Sequence, residues 1–100
     1  MIHTITYYPT KPGRAEANAQ LVKNVFAAVH KAKLEGVHYA VFQAADGSFF
    51  HLIGNDPEGS DCLTDLPEFE AFRTEGVENR ATGPIQAKVT LVGNYGLLPE

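Results

Sequence analysis

Asp46-Gly47 separates two runs rich in aromatic and β-branched residues, Val37 to Ala45 and Ser48 to Asn55. Such a pattern reads as a β-hairpin, and Asp-Gly is the dipeptide favoured where both central residues of a type I′ turn take positive φ. A two-residue turn sets Ala45 opposite Ser48, Phe42 opposite His51 and His38 opposite Asn55. Side chains alternate across a strand. One face is then expected to carry His38, Ala40, Phe42, Ala44, Phe49, His51 and Ile53. The other carries Val37, Tyr39, Val41, Gln43, Phe50 and Leu52. Both faces are largely apolar. Helices can cover one, and the second also needs a cover, which points to a second copy of the chain.

The rest of the chain supplies those helices and two more strands. Ile2 to Tyr8 is β-branched and aromatic and reads as a strand ended by Pro9 and Pro12. From Gly13 to about Lys33, the residues Asn18, Leu21, Val22, Val25, Ala28, Val29 and Ala32 form one stripe at helical spacing, with Phe26 at its edge. Asn18 is the polar member of that stripe. Gly36 is the expected C-terminal stop. A second helix is expected from Leu66 to Arg80, with Asp65 as N-cap and Pro67 in the first turn. Its inward side holds Phe69, Phe72, Arg73 and Gly76, and a glycine there suggests close approach to the sheet. Ile85 to about Tyr95 reads as the last strand. The order β-α-β-β-α-β is the ferredoxin-like pattern, an α+β fold with a four-stranded antiparallel sheet and both helices on one face. Right-handed crossovers place the first strand beside the last strand and the second hairpin strand.

At 100 residues the chain is expected to be one domain spanning 1–100. A net charge of −4 without a basic cluster argues against nucleic acid or an anionic membrane as partner. No apolar run approaches the ~20 residues needed to span a bilayer, and the N-terminus lacks the pattern of a signal peptide. A single cysteine, Cys62, suits a cytoplasmic protein.

Lys11-Pro-Gly-Arg14 follows the first strand and opens a long helix. Gly36 precedes the second strand, and Leu66-Pro-Glu-Phe-Glu-Ala-Phe72 begins the second helix. With these segments the chain resembles the antibiotic biosynthesis monooxygenase-like domains, over nearly its whole length. The resemblance implies a dimeric α+β barrel, in which two sheets pack face to face as a homodimer. It also implies chemistry of the kind its members perform: cofactor-independent oxygenation of aromatic polyketides, quinol oxygenation, or haem degradation. The sequence has no Trp, unlike the haem-degrading members.

His51 is the candidate catalytic residue, placed mid-strand among Phe42, Phe49 and Ile53, where a neutral imidazole can accept a proton from a phenolic substrate. The plainer alternative is a buried histidine satisfied by a neighbour. Tyr7, Asn18, Tyr39, Phe42, Phe49, Phe69 and Arg73 are the expected ligand-pocket residues. The tyrosines offer hydroxyls beside an apolar wall, and Arg73, like Arg80, can hold a carboxylate or phenolate. Neither a metal nor a cofactor is expected. His3, His30, His38 and His51 show no ligand spacing, the acidic loop around Asp61 is not an EF-hand, and Lys11-Pro-Gly-Arg14 is not a P-loop. Carboxylates beside Cys62 oppose thiolate formation. Together with the resemblance, these residues are what a cofactor-independent monooxygenase acting on a small aromatic or quinone-like compound would be expected to carry. The alternative is a non-catalytic dimeric domain that binds a small apolar ligand or serves in assembly.

Overall fold

The structure, a computed structural model, describes residues 2–59 and 61–98. Pro99 and Glu100, the end of the tail, lie outside the described residues. The elements are β1 (Ile2–Tyr8), α1 (Ala15–Ala32), β2 (Val37–Gln43), β3 (Phe49–Asn55), α2 (Pro67–Glu75) and β4 (Ile85–Val89). The strands form one antiparallel sheet in the order β2-β3-β1-β4, as the crossover rule requires. Both helices pack on one face. The buried core is Tyr8, Val22, Val25, Phe49, Leu63 and Phe72.

The hairpin register differs from the expected one by one residue. Val41 opposes His51, Tyr39 opposes Ile53, His38 opposes Gly54 and Val37 opposes Asn55. The cause is the turn. Ala44 N–H donates to the Ser48 carbonyl at 2.8 Å, and Gly47 N–H donates to the Ala44 carbonyl at 3.0 Å. The loop therefore holds three residues, Ala45, Asp46 and Gly47. Only Gly47 takes positive φ, at 89°. A two-residue type I′ turn would force Asp46 into the left-handed region, whereas the three-residue loop asks that of glycine alone. Asp46 instead accepts the Ser48 N–H on Oδ1 at 2.9 Å.

A one-residue slip turns a whole strand over. Tyr39, Val41 and Gln43 share the helix-covered face with Phe49, His51 and Ile53. His38, Ala40 and Phe42 share the open face with Phe50 and Leu52. A Cβ on Gly47 would sit 2.9 Å from Thr10 Oγ1, the same atom that donates to the Gly47 carbonyl at 2.7 Å. Gly47→Ala should therefore cost about 2 kcal/mol, from the left-handed backbone and the displaced hydrogen bond together. Urea unfolding of both forms measures it.

Other boundaries move for local reasons. Helix α1 ends at Lys33, whose left-handed backbone (φ 51°) caps it through its N–H on the Val29 carbonyl, so Gly36 is not the stop. Asp65 is not an N-cap: it belongs to a short 3-10 turn, Leu63–Asp65, and Leu66 precedes Pro67 in extended form. The second helix tightens to 3-10 geometry at Gly76–Glu78. Gly76 does not mark contact with the sheet. A Cβ there would meet the Arg80 guanidinium at 2.9 Å and Asn18 Oδ1 at 3.8 Å. β4 stops at Val89 rather than near Tyr95, because its pairing to β1 ends at His3↔Val89.

Candidate functional site

Four elements, β1, β2, β3 and α1, bring a polar chain together between sheet and helices. Tyr8 is the last residue of β1 and pairs with Phe49; two residues back, Thr6 pairs with His51. The Tyr8 and His51 rings are thus neighbours on the covered face, 5.4 Å apart. Tyr39 reaches His51 from β2 because of the three-residue turn. Asn18 reaches Tyr8 from the buried stripe of α1. The Tyr8 hydroxyl lies 2.8 Å from His51 Nε2 and the Tyr39 hydroxyl 2.7 Å from His51 Nδ1. Asn18 Nδ2 donates to the Tyr8 oxygen at 2.9 Å. The sequence Asn18–Tyr8–His51–Tyr39 is continuous, and Asn18, Tyr8 and His51 are buried.

Arg80 completes the group. The segment after α2 is fixed against the end of β1: Lys11 N–H donates to the Asn79 carbonyl and Ala81 N–H to the Pro9 carbonyl. That pairing lays the Arg80 guanidinium over the Tyr8 ring, 5.6 Å from its centre, and one of its nitrogens donates to the Arg73 carbonyl at 3.2 Å. The single ion pair among the described residues is Arg73–Glu70 at 2.6 Å, so Arg80 has no carboxylate partner there. Arg73 also lies over Phe69, 5.8 Å from the ring centre.

Tyr8, His51 and Arg80 face a cavity of about 600 Å³ between the sheet, α2 and the 61–64 loop. Tyr8, His51 and Ile53 line it from the sheet, Leu63, Phe69 and Phe72 form an apolar wall, and Arg73, Arg80 and Gln86 supply polar lining. A second cavity, about 540 Å³, is lined by Tyr39, Phe26, Phe49 and Lys23 among others.

Electrostatics keep the chain neutral. Burial, reinforced by the Arg80 charge, pushes the His51 pKa down to about 4. Burial raises the Tyr39 phenol well above its ordinary range, and the Tyr8 oxygen adds to that. Burial also raises Tyr8, but the Asn18 hydrogen bond and Arg80 oppose it. At neutral pH the imidazole carries one proton and each phenol keeps its own.

Of the residues expected to form a pocket, the structure brings His51, Phe69 and Arg73 to the first cavity. Tyr39 and Phe49 line the second, and Asn18 stands behind Tyr8. Tyr7 and Phe42 do not belong to either cavity: both lie on the open face of the sheet, 38% and 51% exposed. Phe42 is there because of the register, and Tyr7 because it alternates with Tyr8. Sequence reading did not select Tyr8. The signal for it was Asn18, a buried amide on an apolar stripe that needs a polar partner across the helix–sheet gap. Among the described residues there is no His, Cys, Asp and Glu cluster able to hold a metal, and no helix long and apolar enough to cross a membrane.

The fold and cavity define a class of structure, an α+β sandwich with one covered and one open sheet face. No protein-family model and no curated protein sequence matches the chain. Solved structures do. A conserved protein from Methanosarcina mazei aligns with TM-score 0.73 at 20% identity, over 88% of this chain and 89% of that one. A structure named antibiotic biosynthesis monooxygenase aligns with TM-score 0.69 at 15% identity, over 93% and 100%. A candidate antibiotic biosynthesis monooxygenase from Nitrosomonas europaea aligns with TM-score 0.73 at 14% identity, over 95% and 93%. The chain therefore has the ferredoxin-like fold of the antibiotic biosynthesis monooxygenase-like structures. At these identities the likeness is one of fold.

Proposed function

We propose that this chain is a cofactor-independent monooxygenase that acts on a small aromatic or quinone-like compound in the first cavity. The observation that carries the reading is the Tyr8–His51 pair, buried on the wall of a cavity that also has an apolar side of Leu63, Phe69 and Phe72, with the Arg80 guanidinium, which has no carboxylate partner among the described residues, lining it as well. Phe69 and Phe72 suit a planar ring. A ligand hydroxyl that passes its proton to the Tyr8 oxygen, as Tyr8 passes its own to His51 Nε2, leaves a phenolate, the electron-rich form that reacts with dioxygen. Arg80 lies where such an anion would be stabilised, and the apolar wall strengthens that attraction by excluding water. The folds named above support the same class.

Oxygen uptake with 1,4-naphthohydroquinone as substrate tests the reading. The wild-type protein should accelerate uptake above the rate in buffer, and Arg80→Gln should lose about 10- to 100-fold of that acceleration. Uptake that never exceeds the buffer rate refutes it. The open sheet face favours a second feature, a homodimer, and light scattering at micromolar concentration should return twice the chain mass. Cys62 is a free, exposed thiol, and we place the protein in the cytoplasm, where such a thiol stays reduced.

A further inference from the structure

His51 has no nitrogen to offer a ligand. Nε2 is taken by Tyr8 and Nδ1 by Tyr39, so a ligand could reach the imidazole only by displacing a phenol. Tyr8 is different. A phenol oxygen has one hydrogen and two lone pairs, three hydrogen-bonding positions in all. Asn18 occupies one lone pair. His51 occupies a second position, and the third has no partner among the described residues. Tyr8 lines the first cavity, and that third position is the one left for a ligand.

We propose that Tyr8 is the group that meets the ligand oxygen, and that His51, backed by Tyr39, sets whether Tyr8 does so as donor or acceptor. Two arrangements satisfy the chain. In one, Tyr8 donates to Nε2 and Nδ1–H donates to Tyr39, so Tyr8 turns a lone pair toward the cavity. In the other, Nε2–H donates to Tyr8 and Tyr39 donates to Nδ1, so Tyr8 turns its hydrogen toward the cavity. Each of the three groups holds one proton in both arrangements, and exchange between them needs no net proton uptake. The first suits a hydroxyl, as in a phenol or hydroquinone. The second suits a carbonyl, as in a quinone. One tyrosine can thus serve the reduced and the oxidised form of a hydroxyaromatic compound. The inference rests on the ligand class proposed above but not on turnover. His51 and Tyr39 are positioning residues here, since each acts on the ligand oxygen through Tyr8.

The test reads the imidazole directly. In protein labelled with ¹⁵N-histidine, the nitrogen shifts of His51 report which ring nitrogen bears the proton. Bound menadione, which offers only carbonyl acceptors, should give the Nε2–H form. Bound 2-naphthol, which donates a hydroxyl, should give the Nδ1–H form. The apolar control, 2-methylnaphthalene, should leave the free protein's pattern unchanged. In Tyr8→Phe, affinity for menadione and 2-naphthol should fall about tenfold, and affinity for 2-methylnaphthalene should hold. The same tautomer with menadione and with 2-naphthol overturns the proposal, as does failure of all three to bind. Equal affinities in a folded Tyr8→Phe also overturn it. Should that variant not fold, the wild-type spectra decide alone. A tautomer exchange without any oxygen uptake would sink the monooxygenase reading and leave this one standing.

Discussion

Lowering the pH from 7 to 4 should remove about 3 kcal/mol of folding stability through His51. The unfolded chain takes up a proton on this residue near its ordinary pKa of 6.5, whereas the folded chain resists until about 4. Each unit of difference is worth about 1.4 kcal/mol. Above about 6.5 both states are neutral and the full stability is present. Between 6.5 and 4 the unfolded state alone is protonated, so stability drains away, and below 4 the loss levels off. The physical cause is an imidazole 3% exposed, in a site that also holds the Arg80 charge. His51→Phe isolates this term. At pH 7 the variant should be less stable by about 2 kcal/mol, because the Tyr39 hydroxyl loses its partner and Tyr8 one of two. With no imidazole to protonate, its stability should fall less steeply with acid, so the two curves should cross near pH 5 and the variant should be the more stable by about 1 kcal/mol at pH 4. Urea unfolding at pH 7, 5.5 and 4.5 measures both. Parallel curves would show that His51 is not the titrating group.

The order of elements was legible because each rests on a local pattern. The α1 stripe, the two runs around Asp46-Gly47 and the β-branched start of the chain each announce one element. The register was not legible. Asp-Gly serves both the two-residue turn and the three-residue turn, and the choice depends on whether Asp46 or only Gly47 takes the left-handed backbone. That single residue decides whether Phe42 or Tyr39 stands beside His51. The site suffered accordingly. His51 could be placed on the covered face from β3 alone, but its neighbours could not: the sequence register set Phe42 opposite it, and the observed register brings Tyr39 to its Nδ1 instead. Tyr8 was passed over because its surroundings are made by Asn18 and Arg80, which are 10 and 72 positions away in the chain. Arg80 is held there by backbone pairing between Pro9–Lys11 and Asn79–Ala81, a contact with no periodic signature.

Phe50→Glu should break the proposed homodimer into monomers. Phe50 lies in the middle of the open sheet face, where it opposes Phe42 on one side and Tyr7 on the other. Its ring stacks on Tyr7 at 5.9 Å. With Ile85 beyond Tyr7 on β4, the four side chains form an apolar band across the sheet, 38–54% exposed. Neither helix reaches this face. In the proposed dimer, two such bands would cover each other, and residue 50 would be removed from water. A carboxylate there would have to be desolvated without a partner, at a cost of several kcal/mol. About 4 kcal/mol raises a dissociation constant roughly 1000-fold, enough to dissociate a micromolar dimer at the same concentration. Phe50 points away from His51, because adjacent strand residues face opposite sides. The variant should therefore keep the His51-dependent acid response while its mass by light scattering halves. A wild-type protein that is already monomeric at micromolar concentration would defeat the prediction. So would a Phe50→Glu dimer, because a face that accepts an unpaired charge is not buried against a second copy.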